Sequence, residues 1–197
     1  MKQVRTRPAA ADVSVHRVFD HRCIWLLGED AFTRAADLIA DHERSYQPEL
    51  VVGIARGGLP LARRVARQLA VETVEVAARH NASDAAYLQA TGQVELAEPA
   101  AHLPAAGARL LVVDDICGTG ATLAAVTSLL TRCAPAMLRT AALCRNAATD
   151  GTAHVPDVWV WRLRDWVVFP WEPPPRDRSE PTAALTVPER LSVKEPQ

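Results

Sequence analysis

Apolar positions along this chain alternate between two periods. A short apolar run at 23–27 (CIWLL) gives way to EDAFTRAADLIADHE, where Phe32, Ala35, Ala36, Leu38 and Ile39 form a helical stripe behind two first-turn acids, Glu29 and Asp30. Residues 50–55 (LVVGIA) are apolar throughout, the pattern of a strand covered on both faces in a parallel sheet. They end in Arg56, Gly57 and Gly58, after which LPLARRVARQLA resumes the helical period. Further on, residues 71–77 and 108–116 read as strands, 119–133 as a helix, and 137–144, 158–163 and 167–170 as strands. Residues 80–98 are polar and turn-rich without a strong period. Strands interleaved with helices predict an α/β fold, a mainly parallel central sheet flanked by helices.

From residue 173 onward (PPPRDRSEPTAALTVPERLSVKEPQ) proline and charge displace large apolar residues. This composition predicts one domain over residues 1–172 and a poorly ordered tail, or an arm lying on another surface, over 173–197. The whole length of 197 residues suits a single core. No internal repeat is present.

Charge and cysteine usage narrow the class. A formal net charge of -1 offers no electrostatic case for nucleic acid. The four cysteines, Cys23, Cys117, Cys133 and Cys144, form no C-x-x-C pair and have no histidine at zinc-finger spacing, which reads as reduced thiols of a cytoplasmic protein. The start lacks the apolar stretch of a secretory signal, and no run approaches the ~20 apolar residues of a membrane helix. Lysine occurs only at positions 2 and 194, so cationic contacts to a phosphate must come from arginine or from backbone N–H groups.

Candidate chemistry concentrates in LLVVDDICGTGATL, residues 110–123. Here a buried strand stops on two adjacent acids, Asp114 and Asp115, and turns at once into a helix through small and hydroxyl-bearing residues. Ligands of open α/β sheets sit beyond the carboxyl ends of the strands, which is where both acids fall. The following helix offers its positive end and free N–H groups at the same place, with Thr119 and Thr122 adding hydroxyls. Gly118, Gly120 and Ala121 let the backbone wrap an anion closely. Neither a dinucleotide fingerprint, which Leu123 interrupts, nor a Walker loop, which needs lysine, fits the stretch.

The same stretch resembles the phosphoribosyl pyrophosphate (PRPP) motif of type I phosphoribosyltransferases: four apolar residues, an acidic pair, two variable residues and a small turn ending in Thr. The resemblance implies that Cys117, Gly118, Thr119, Gly120, Ala121 and Thr122 wrap the 5-phosphate. Asp114 and Asp115 would face the ribose, assisted by a bound Mg2+ ion that they help to hold. VVGIARGGLPLARRVA is similar to the family's pyrophosphate loop, which often carries a non-proline cis peptide; Ala55, Arg56 and Gly57 would hold pyrophosphate. DWVVFPWE, residues 165–172, looks like the small C-terminal hood of bacterial and archaeal purine (xanthine/hypoxanthine-guanine) phosphoribosyltransferases. Trp166 would stack on the base, Val167 would supply backbone contacts, and Arg145 stands where those relatives usually place a lysine that reaches the purine oxygen. Trp159, Trp161 and Trp171 are expected in the core.

Residues 79–95 occupy the place of the family's flexible loop, so Arg79, His80, Asn81 and Ser83 are expected to close over the substrate; a lone loop histidine such as His80 is ordinarily solvated rather than a general base. The resemblance covers about residues 24–172. It implies a Mg2+-dependent pentosyltransferase of purine salvage that binds PRPP and a nucleobase-like acceptor, contacts no membrane, and forms a homo-oligomer as its relatives commonly do.

One departure bears on the acceptor. Relatives acting on 6-oxopurines usually carry Asp three residues after the second acid, where it helps move the N7 proton; here that residue is Gly118. Transfer to a non-purine acceptor therefore stays open. A PRPP-binding regulator without transfer is the rival reading, but no basic face or helix-turn-helix is visible in the sequence. A purely structural partner leaves the acid pair and the Arg-Gly-Gly turn unexplained.

Overall fold

The computed structural model describes residues 17–79, 94–96, 105–152, 155–175 and 179–195. In chain order the elements are β1 (Ile24–Leu26), α1 (Glu29–Glu43), β2 (Leu50–Ala55), α2 (Leu59–Leu69), β3 (Glu72–Arg79), β4 (Glu95–Leu96), β5 (Arg109–Cys117), α3 (Ala121–Thr131), β6 (Met137–Asn146), β7 (Val158–Leu163), β8 (Val167–Val168), β9 (Thr182–Ala184) and β10 (Ser192–Val193). Seven strands form the main sheet in the order β10-β7-β6-β5-β2-β3-β4. β7, β6, β5, β2 and β3 run parallel, while β4 and β10 close the edges antiparallel.

Strand alternation explains the continuous apolar runs. On β5, Leu111 and Val113 join a core shared with α1 and α2, where Ile39, Leu61 and Val65 are fully buried. Leu110 and Val112 face the opposite way, into a core with Leu123, Val126 and Leu130 of α3. A strand covered on both faces has no polar side to alternate with. On β2, a Cβ at Gly53 would lie 2.7 Å from Ala62 Cβ, so glycine is what lets α2 lie close on the sheet.

Sequence-expected boundaries shift by a few residues. The helix expected from Thr119 begins at Ala121 because Gly120 caps it with a left-handed φ of 84°. The strand expected over 167–170 is only Val167–Val168. Among the described residues no helix is long and apolar enough to cross a membrane.

A second sheet, in the order β8-β1-β9, forms the hood, so its centre comes from the N-terminal side of the chain. Part of the segment expected as a poorly ordered tail or an arm on another surface, residues 173–197, pairs with these sheets. β9 pairs parallel with β1, β10 pairs antiparallel with β7, and Leu185 is buried in the α1/α2 core. Composition concealed this, since each strand is only two or three residues long and is held by an edge that would otherwise leave backbone groups unpaired.

Candidate active site

Alternation along β5 also sets the direction of the two acids. Asp115 continues the row of Leu111 and Val113 toward α2, and its carboxylate meets the turn before that helix: a Cβ on Gly57 would lie 1.9 Å from Asp115 Oδ2. The acid pair and the Arg-Gly-Gly turn therefore share one mouth at the carboxyl end of the sheet. Asp115 Oδ1 accepts from the Ile116 N–H at 2.7 Å, and Asp114 Oδ1 from the Asp115 N–H at 3.0 Å. Asp114 is buried. Burial, and then the charge of Asp115, pushes the Asp114 carboxyl well above the usual carboxylate range; burial raises Asp115 as well. Two acids confined like this favour a cationic partner.

The turn that follows is enclosed. Cys117, Gly118, Thr119 and Gly120 are buried, whereas Ala121 and Thr122 are half-buried at the first turn of α3. Thr119 Oγ1 accepts from the Ala121 N–H at 3.4 Å, and Gly120 has no side chain with which to cap the helix. Burial and the nearby Asp114 charge push the Cys117 thiol up to about 12, which keeps it a neutral packing group.

At β2, Ala55 is half-buried and Arg56 is exposed, and the peptide joining them is cis. Arg79 is the last residue of β3. The other residues expected in the flexible loop, His80, Asn81 and Ser83, lie outside the described residues. Arg145 sits opposite Cys117 across the β5–β6 ladder, but its guanidinium is turned to its own neighbourhood. Nε donates to Thr149 Oγ1 at 2.7 Å, a terminal nitrogen bonds Asp150, and the group lies 4.6 Å above the Trp159 ring. Trp166 is half-buried, with its ring 6.2 Å from Phe19. Trp25 N–H donates to Trp166 O and Leu27 N–H to Val168 O, so the backbone of Val167, on edge strand β8, faces away from β1. Trp171 instead stacks on Phe169 at 5.1 Å within the hood.

One site residue escaped the sequence reading. Arg17 reaches the acid pair: a Cβ on Gly118 would fall 2.2 Å from its Nε. Asp115 and Asp114 offset part of the cost of burying its charge. Buried Asn146, at the end of β6, holds the neighbouring backbone through bonds of 2.9 Å from the Val18 N–H and to the Val18 carbonyl. Buried Asp165 accepts from the His21 N–H at 2.6 Å. No periodicity marks residues 17–22, and only their anchors in the fold reveal their use.

Comparison with known proteins now decides the family. Residues 28–178 match the phosphoribosyl transferase domain. The chain belongs to that family. A xanthine-guanine phosphoribosyltransferase of Ruegeria sp. (strain TM1040) is 31% identical over 126 residues, 62% of this chain and 67% of the relative. Among solved structures, a purine phosphoribosyltransferase from Pyrococcus horikoshii Ot3 superposes with a TM-score of 0.67 at 26% identity, covering 79% of this chain and 98% of that one. The xanthine-guanine-hypoxanthine phosphoribosyltransferase of Helicobacter pylori gives 0.60 at 20% identity over 75% and 94%, a likeness of fold alone. The type I phosphoribosyltransferase fold expected from the motif is the fold found, and the resemblance to small bacterial and archaeal purine enzymes holds.

Proposed function

We propose that this phosphoribosyltransferase moves the 5-phosphoribosyl group of PRPP onto a ring nitrogen of a purine-like acceptor, releasing pyrophosphate. The C1–O bond breaks with its electron pair leaving on pyrophosphate, the acceptor nitrogen forms the new bond to C1, and that nitrogen gives up its proton. The observation that carries the reading is the meeting of the Asp115 carboxylate with Gly57, which joins an anion-repelling pair of acids to an arginine-bearing turn in one pocket.

Positive charge develops on the ribose as the bond to the leaving group lengthens. Carboxylates of Asp114 and Asp115 beside the sugar stabilise it, while Arg56 and the backbone at Ala55 and Gly57 take the charge of the diphosphate. N–H groups from Gly118 to Thr122 hold the 5-phosphate at the start of α3. Mg2+ suits this donor set, since it binds through one or two carboxylates and completes its octahedron with water and phosphate oxygens. Asp114 and Asp115 would hold it, and it would neutralise charge on the diphosphate. Trp166 supplies a stacking face for the acceptor and the outward backbone of Val167 its edge contacts. Arg145 has Nε and a terminal nitrogen engaged with Thr149 and Asp150, so its part is to brace this wall rather than to touch the acceptor.

Purified protein incubated with PRPP, Mg2+ and adenine, guanine, hypoxanthine, xanthine or orotate is expected to release pyrophosphate only with a suitable acceptor. Tight PRPP binding without turnover for any acceptor would instead identify a sensor, and absence of PRPP binding would refute both readings.

A further inference from the structure

Two carboxylates at one enclosed mouth call for positive charge beside them, and the fold supplies it from its own chain. Arg17 is half-buried, with its guanidinium against the turn after β5: a Cβ on Gly118 would fall 2.2 Å from Nε and 2.8 Å from both Cζ and Nη2. The charges that offset its burial are those of Asp115 and then Asp114. Asp115 is the same carboxylate that fills the space beside Gly57, so guanidinium, acid pair and Arg-Gly-Gly turn follow one another across the mouth of the sheet.

Buried polar side chains pin the backbone that carries Arg17. Asn146, 1% exposed, accepts from the Val18 N–H and donates to the Val18 carbonyl, both at 2.9 Å, a two-point clamp that repeats the bonding of a strand partner. Beyond it the Asp20 N–H donates to the Arg164 carbonyl, and buried Asp165 accepts from the His21 N–H at 2.6 Å. His21 and Arg22 are exposed, so the pinned segment runs along the surface while Arg17 reaches inward. Arg17 stands one residue before the first pin, where a long, flexible side chain can swing outward without undoing any of these bonds.

We propose that Arg17 is a built-in counter-cation of the acid pair, mutually exclusive with the divalent cation that Asp114 and Asp115 would hold, so that the guanidinium must leave before a metal ion can bind. This rests on the reading of the two acids as metal ligands given above. The exclusion is one of room as well as charge. Mg2+ keeps several waters in its octahedron and needs space around the carboxylates that hold it, whereas the guanidinium packed against residue 118 leaves no room there even for a methyl group. An empty pocket thus carries its own neutralising charge, and a free metal ion binds against the cost of expelling it.

Mn2+, an oxygen-liganded ion like Mg2+, serves as the probe, its binding read from the loss of the free-ion electron paramagnetic resonance signal with no acceptor present. Arg17→Gln is expected to bind Mn2+ roughly 10- to 150-fold more tightly than wild type, the equivalent of one charge-assisted contact that no longer has to be broken. Arg17→Lys, which keeps the charge but not the fork, should fall between, and it decides the matter if the Gln variant does not fold. In an Asp115→Asn background Arg17→Gln should gain less than about threefold, because the contact is then already lost. Mn2+ affinity in Arg17→Gln equal to or below that of wild type overturns the proposal, as does a gain that persists undiminished with Asp115→Asn. Wild-type affinity in Arg17→Lys overturns it too, since a charge acting from a distance would give that result. Transfer is not read in these titrations: a wild type that turns over no acceptor refutes the transferase reading, while the Mn2+ affinities still decide the role of Arg17.

Discussion

Two neighbouring glycines should respond to the same substitution in opposite ways. An alanine Cβ at Gly57 would lie 1.9 Å from Asp115 Oδ2 and 2.4 Å from its Cγ, so a carboxylate must rotate away. At Gly58 it would lie 2.7 Å from the Val113 carbonyl oxygen, 2.8 Å from that of Ile54 and 3.0 Å from Asp114 Cα, all backbone of central strands that cannot yield. The φ of -75° and ψ of -12° at Gly58 suit any residue, so its penalty is steric alone. Overpacking against a rigid surface costs about 1–3 kcal/mol, which in a chain of this size lowers Tm by roughly 2–12 °C for Gly58→Ala. Rotation of Asp115 in Gly57→Ala gives up its 2.7 Å bond from the Ile116 N–H, about 1.5–3 kcal/mol. Fuller exposure of the half-buried Asp115 carboxylate and the lower entropy of an unfolded chain carrying Ala, about 0.4–1 kcal/mol, return part of that. Gly57→Ala is therefore expected to melt within about 4 °C of wild type yet to bind PRPP roughly 10- to 150-fold more weakly, the equivalent of one displaced carboxylate. Thermal melts and calorimetric PRPP titrations of both variants check this. Unchanged PRPP affinity in Gly57→Ala together with a larger melting loss than Gly58→Ala would refute the proposed contact between the acid and the turn.

Further outcomes follow from other buried groups. Glu43, only 1% exposed, accepts from Arg139 Nε at 2.7 Å and Nη2 at 2.9 Å. Arg139→Met should cost about 3–5 kcal/mol, or roughly 6–20 °C in Tm, and adding Glu43→Met should recover most of it, as chemical and thermal unfolding will show. Because Asp114 titrates above its unfolded range, the folded state holds more protons between the two values and stability falls as pH rises through that window. Asp114→Asn, whose amide oxygen can still accept from the Asp115 N–H, should melt higher than wild type once the pH exceeds the unfolded carboxylate range, with the gap closing toward acid, while transferring nothing. Measured melting temperatures that show no such pH-dependent gap would contradict the burial argument. Cys117 and Cys144 are buried with raised thiols, so iodoacetamide and mass spectrometry should find both unmodified in the folded protein.

The alternation of hydrophobic periods determined the α/β class by itself, because each parallel strand is buried on both faces and each helix on one, and those demands are local. LVVGIA and VWVWRL became β2 and β7 without shift. The acid pair, the small-residue turn and the Arg-Gly-Gly turn were likewise legible, since charged and flexible residues at the end of an apolar strand have few structural uses. What the sequence left open was what lies beside them. Only the folded chain brings Arg17 to Gly118 across 101 positions, turns the Arg145 guanidinium to Thr149 and Asp150, and lays 182–184 and 192–193 on sheet edges. Those contacts have no period and no motif. They are selected by which surfaces remain unpaired once the sheet has formed, and a one-dimensional pattern carries no record of that.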